Sequence, residues 1–339
     1  MRNDVHGDVW KAWLYAAAFV CLGAWMSPLL YNAGKALAEV SASKSINGPL
    51  DWLAGLCREA EFPQFYQVAV IMAAVVLFFP WMEWIHAKRG PAVAGGGPWR
   101  LRLPDGARVS LRGQRLERNP RGLWHACTGF LLAAGLLLPM GIALVPAGLS
   151  TMRTPVGNLL PLAAKSLMAA MFMAMVMEVF FRGIVMGIFL RAMRPAAALG
   201  MSAAFFALLL SALAPARVNV MDPEAGRPGF ELLGLLAGQL GDEHVFLENF
   251  VPLVTLGAVL SYARWRTASL WLPTGLHAGW WFAKSVLAKL GLTITVAADP
   301  IISGNLLQRG LLPVAGILLA GVLAHLLTAT PAGEDAAQS

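Results

Sequence analysis

Long apolar runs constrain this chain more than any other feature. A helix needs roughly 20 consecutive apolar residues to cross a bilayer. Hydropathy places such runs at 10–30, 64–84, 124–148, 159–190, 195–215, 250–263, 268–288 and 306–327. Backbone polar groups inside a bilayer must be satisfied within the segment, so runs of this kind fold as helices. The expected fold class is all-α, a polytopic transmembrane helical bundle of about eight spans. Only 13% of the 339 residues are charged and 58% are hydrophobic, whereas a soluble domain carries about a quarter charged residues. The sixth run is short and is expected to lean on its neighbours or to begin inside the membrane. The fourth is long enough for its last turns to emerge as an amphipathic extension.

The loops give an orientation. Loop 85–122 holds Lys88, Arg89, Arg100, Arg102, Arg108, Arg112, Arg115, Arg118 and Arg121 against Asp105 and Glu117, so it is expected in the cytoplasm. Alternation then puts Arg191, Arg194, Arg264 and Arg266 on the same side, and the acidic loop 216–249 outside. Both termini are expected to be cytoplasmic, and the plan suits a bacterial inner (plasma) membrane. The net charge of +7 thus reports orientation, and no nucleic-acid partner is expected. "WRLRLPDGARVSL" reads as a small hairpin around Pro104-Asp105-Gly106. The arginines from 112 to 121 recur every third residue, a spacing that allows contact with anionic lipid headgroups, although retention of the loop inside, with no partner, is the preferred account of them. "GPAVAGGGP" at 90–98 reads as a flexible linker and "PAGEDAAQS" as a disordered tail. The run from Trp10 to Leu30 exceeds an ordinary signal-peptide core and follows Asp4 and Asp8, so it reads as a first anchor. Cys21, Cys57 and Cys127 have no disulfide or metal spacing.

Charged residues inside the spans are the candidates for function, because a charge at bilayer depth is costly. Glu178 and Arg182 in "MEVFFRG" stand four apart on one helix face, close enough to pair. Such a pair can also brace two helices and do nothing more. His277 in "SLWLPTGLHAGWWF" lies within the seventh span, while His6, His86, His125, His244 and His325 lie in loops or near span ends. His244 and Glu248 are four apart in an acidic stretch but lack a third ligand. No metal and no cofactor is expected.

Taken in order, "EVFFRG" (178–183), "SAAFFALLLSALA" (202–214) and "PLVTLGAVLSYARWRTASLWLPTGLHAGWWF" (252–282) resemble the CPBP family, the CAAX protease and bacteriocin-processing (Abi) proteins. That family includes the type II CAAX prenyl proteases, which are intramembrane glutamate proteases. The resemblance runs from about residue 159 to 288. It divides the chain into N-terminal anchor spans (1–84), a basic cytoplasmic loop (85–122), the third span and its connection (123–158), a CPBP-like core (159–290), and a last span with its tail (291–339).

The resemblance implies a motif E-E-x-x-x-R on one helix, F-x-x-x-H on the next and H-x-x-x-N on a later one. It implies a water activated by the first Glu and the second helix's His, with the last His and Asn stabilising the oxyanion of the scissile carbonyl. A carboxylate in an apolar pocket can act as a base near neutral pH, and donors preplaced at an oxyanion are worth several kcal/mol. Here Glu178, Arg182, Phe206 and His277 match, but the first Glu position is Met177, the second-motif His is Leu210 and the last Asn is Trp281. Methionine and leucine cannot polarise water, and tryptophan offers one N–H on a far larger side chain. Glu178 stands about 100° round the helix from Met177, so its carboxylate is expected several ångströms from the base position and engaged by Arg182. A register change in the helix, or Glu243 or His244 folding inward, would supply another base.

Three functions follow as expectations. The first is a degenerate homologue that binds a membrane peptide or lipidated protein without cutting it. The second is an active endopeptidase with a non-standard site built on Glu178 and His277. The third and weakest is a small-molecule transporter, for which paired broken helices or inverted repeats are missing from the sequence. Under the first, Phe206, Trp280 and Phe282 line a hydrophobic groove between the fourth, fifth and seventh spans, opening toward the cytoplasm.

Overall fold

Every apolar run overlaps a helix in the computed structural model, which describes residues 3–44, 48–86, 121–152, 159–213, 220, 222, 223, 226–294 and 311–328. The hairpin and linker expected within 87–120, Arg112, Arg115 and Arg118, and the tail lie outside the described residues. The protein is an all-α polytopic membrane bundle. Among the described residues, six helical stretches are long and apolar enough to cross a membrane: Gly7–Ser43, Phe62–Ile85, Gly122–Ala143, Leu160–Ala192, Pro195–Leu213 and Glu243–Thr267. The other two expected spans form a shorter apolar helix, Leu312–Leu327, and a helix whose apolar character is diluted by His277, Lys284 and Lys289. Large apolar side chains such as Leu131, Met168, Phe172 and Val322 are exposed, as lipid-facing helices require.

The chain divides into two units, Met1–Gly106 with Leu208–Asp242, and Ala107–Ala207 with Glu243–Ser339. The first unit holds α1 (Asn3–Lys44), α2 (Pro49–Glu59), α3 (Phe62–His86) and, later in the chain, Pro228–Gln239. α1 has 42 residues, roughly 60 Å at 1.5 Å per residue, twice the hydrocarbon thickness. It lies along α3, where Gly23 meets the backbone of Val70 too closely for any Cβ. Tyr15 stacks on Trp81 at 4.3 Å and donates its hydroxyl to the Ala74 carbonyl at 2.7 Å. Lys11 is buried and donates to Asp8 at 3.1 Å and to the Trp84 carbonyl at 3.2 Å. The helix at Pro228–Gln239 corrects the expectation of an acidic loop over 216–249. Its run "FELLGLL" is apolar, Pro228 sits in the first turn where a missing N–H costs nothing, and Glu231 meets the positive end of the helix dipole.

The second unit holds α4 (Gly122–Ala143), α5 (Leu159–Glu178), a π-helical segment (Val179–Val185), α6 (Met186–Ala192) and most of α7 (Pro195–Leu213). With the Pro228–Gln239 helix counted as α8, the unit continues with α9 (Glu243–Val245), a second π segment (Phe246–Phe250), α10 (Val251–Thr267), α11 (Trp271–Lys289) and α12 (Leu311–Leu327). The sixth span is therefore longer than expected, because the charges at Glu243 and Glu248 hide its first turns from hydropathy. A short ribbon missed by the sequence reading pairs Ser150–Met152 antiparallel to Leu292–Ile294.

Helix α11 is the hub of this unit and packs on α4, α5 and α10. A Cβ on Gly275 would overlap the Ala126 carbonyl of α4, and one on Gly279 would lie 2.5 Å from the Phe130 carbonyl. Gly129 answers from α4, where a Cβ would lie 2.7 Å from the Leu272 carbonyl. Small residues at this spacing let two membrane helices meet backbone to backbone.

Candidate functional site

The site is built where α5 changes its winding. The regular helix ends at Glu178, and Val179–Val185 follows with wider π turns, closed by Met186 N–H donating to the Phe181 carbonyl. Segments of this kind rotate the residues around them and recur at functional sites. Arg182 lies inside the π segment. It donates from Nη1 to Glu178 Oε1 at 3.0 Å and from Nη2 to the Gly257 carbonyl of α10 at 3.2 Å. Phe206 of α7 presents its ring face 4.3 Å from the guanidinium, so the cation is held by a carboxylate, a carbonyl and a π cloud. Gly257 lets α10 approach this closely, since a Cβ there would crowd Ala203 and Phe206 of α7 at 3.0–3.2 Å.

His277 joins the pair from α11. Its Nδ1 lies 2.6 Å from Glu178 Oε1, and the indole Nε1–H of Trp281 donates to its Nε2 at 2.9 Å. Glu178, Arg182 and His277 each have 0% relative exposure. Phe206 meets the imidazole edge-on at 5.8 Å, and the buried Trp280 ring lies 6.3 Å away. The Lys284 ammonium sits 4.4 Å above the Trp281 ring. One run of contacts thus joins Gly257, Arg182, Glu178, His277, Trp281 and Lys284. Glu178 Oε2 and Arg182 Nε are buried with no hydrogen-bond partner among the described residues.

Glu178, Arg182, His277, Trp281, Phe206 and Trp280 therefore come together. Phe282 does not. It stands about 140° round α11 from His277 and packs against Phe130 of α4 at 5.3 Å, which corrects its expected place in a cavity. The Glu178 carboxylate lies against the imidazole, while Met177 is half-buried. Leu210 follows Phe206 by four residues on α7, in the part grouped with the first unit. Glu243 and His244 are exposed at the start of α9 and do not fold inward. Among the described residues no three His, Cys, Asp or Glu side chains are grouped to hold a metal ion. Two features escaped the sequence reading. The bond from Trp281 to His277 was signalled by H-x-x-x-W spacing, which sets a donor-only indole one turn from an imidazole. The π segment had no sequence signal.

Fold and site define an integral membrane protein with a buried carboxylate, guanidinium and imidazole shielded from lipid. Residues 159–283, somewhat over a third of the chain, match the family model described as type II CAAX prenyl endopeptidase Rce1-like, which supports the resemblance to the CPBP/CAAX protease family. No curated protein and no solved structure matches it.

Proposed function

We propose that this CAAX-protease-like membrane protein binds a membrane peptide or lipidated protein at its intramembrane site without cleaving it. The single observation that carries this reading is the occupancy of His277, whose two ring nitrogens are both engaged within the chain, by Glu178 and by Trp281. An imidazole so held has no nitrogen to offer a scissile carbonyl. Positions 177 and 210 carry Met and Leu, which cannot polarise a water in its place. Glu178 and Arg182 then brace α5 against α10 and α11, and the partner lies along the apolar faces of this core. The protein sits in a bacterial inner membrane with both termini and the 85–122 loop in the cytoplasm.

A second reading keeps cleavage, with Glu178 and His277 as an altered catalytic pair. It is favoured by the 2.6 Å contact between them and by the unpartnered Glu178 Oε2, which together resemble a carboxylate-backed general base. Reconstitution with a library of tagged membrane peptides separates the two. Binding without cleavage is expected; specific cleavage that disappears in Glu178→Ala would establish the second reading. The triple replacement Met177→Glu, Leu210→His and Trp281→Asn is expected to introduce cleavage, and continued inactivity would count against the placement of the motifs.

A further inference from the structure

We infer that Trp281 is a positioning residue that locks His277 in one tautomer and seals its Nε2. An indole nitrogen can only donate a hydrogen bond. With Trp281 Nε1 at 2.9 Å from His277 Nε2, that nitrogen must present its lone pair. The ring proton then resides on Nδ1, where it is donated to Glu178 Oε1 at 2.6 Å. The assignment follows from the identity of the heavy atoms on either side of the ring. A doubly protonated imidazole would set a second N–H against the indole N–H, and the opposite tautomer would do the same while leaving Nδ1 without a proton for Glu178.

The consequence reverses the role that the family resemblance implies for this histidine. An oxyanion needs a donor, and His277 as wired turns an acceptor toward the position of the missing asparagine. Any group that displaces the indole from Nε2 must itself bring a donor: a backbone N–H, a hydroxyl or a water. An approaching carbonyl or carboxylate oxygen meets a lone pair. Lys284 adds to the seal, because its ammonium 4.4 Å above the Trp281 ring favours the indole orientation that reaches His277. Trp281 is only partly exposed and Trp280 is buried beside it.

The test reads the histidine directly and is independent of any cleavage. The full chain is labelled with 15N-histidine and 15N-tryptophan in lipid nanodiscs, and His277 is assigned by its loss in His277→Gln. In the unsubstituted protein Nδ1 is expected to carry the proton, Nε2 to be bare, and a through-hydrogen-bond coupling to connect Nε2 with the Trp281 indole nitrogen. Trp281→Phe keeps a ring under Lys284 but has no N–H; the coupling should vanish and the Nε2 resonance should shift. A proton on Nε2 in the unsubstituted protein would overturn the inference, as would unchanged His277 resonances in Trp281→Phe. If that variant does not fold, the tautomer and coupling measured in the unsubstituted protein decide the matter alone. Cleavage of a membrane peptide would bear on the proposed function and leave this result untouched.

Discussion

Two faces of α11 solve the problem of packing inside a membrane in opposite ways. Gly275 and Gly279 face α4 and meet its backbone with no side chain between. His277 stands about 200° round the helix from Gly275 and, with Trp281 one turn on, meets Glu178 and Arg182 through hydrogen bonds. The first interface gains from close contact and holds no charge. The second takes a carboxylate and a guanidinium out of water, which is costly unless each is paired. An interface whose only task was adhesion would need the first solution alone. The second lies in the segment that matches the protease family model, and it leaves Glu178 Oε2 and Arg182 Nε buried without a partner among the described residues, which adhesion alone does not call for.

The largest expected effect tests the polar face. Glu178→Ala leaves the Arg182 guanidinium buried without its carboxylate and the His277 N–H without an acceptor. Breaking a buried pair from one side costs about 3–5 kcal/mol. Unfolding in a single detergent, followed by far-UV circular dichroism, should show that loss. The paired replacement Glu178→Leu with Arg182→Met should recover part of it, since apolar side chains of similar volume replace buried ion pairs at little cost, while the His277 N–H and the Gly257 carbonyl still lack their partners. If Glu178→Ala unfolds where the unsubstituted protein does, the pair does not brace the helices and the contrast between the faces fails.

The glycine face should respond less, and with the opposite logic. Gly275→Ala places a methyl against the Ala126 carbonyl, a backbone atom that yields only if the helices part. Overpacking of this kind costs about 1–3 kcal/mol. Gly187→Ala in α6, where an added Cβ meets nothing within 4 Å, should instead stabilise by up to about 1 kcal/mol through helix propensity. Comparable behaviour of the two substitutions in the same unfolding assay would mean that close approach to α4 is not what Gly275 supplies.

Much of this was legible in the chain, for identifiable reasons. Apolar runs read out because a bilayer demands them over a fixed length. The Glu178–Arg182 pairing read out because i, i+4 residues meet on any helix. Helix α8 was hidden because Glu231 and the neighbouring acidic residues looked like a solvated loop. The start of the sixth span was hidden because Glu243 and Glu248 depress hydropathy over turns that are nonetheless helical. The contact of Glu178 with His277 joins residues 99 apart, and the π segment that follows Glu178 is not announced by "VFFRGIV". Phe282 was misplaced because a cluster of three aromatic residues was treated as one face, although consecutive residues diverge by about 100°.

The smallest expected effect lies at the edge of the polar face, where Lys284 meets Trp281. Lys284→Gln removes the cation from above the indole and leaves the rest of the site in place. A cation over an indole face contributes about 0.5–2 kcal/mol, more where water is excluded, so a modest drop in unfolding midpoint is expected. Lys284→Arg should retain the midpoint, because a guanidinium also stacks on an aromatic face. The two substitutions separate the seal on His277 from the packing beneath it. If Lys284→Gln weakens the coupling between Trp281 Nε1 and His277 Nε2 while Lys284→Arg preserves it, the cation holds the indole in place. If both leave the coupling intact, Trp281 is fixed by its other neighbours, His277 and Trp280 among them, and the ammonium is a bystander. Either outcome locates where the polar face of α11 ends, a boundary that the glycine face lacks because nothing on it can titrate or turn.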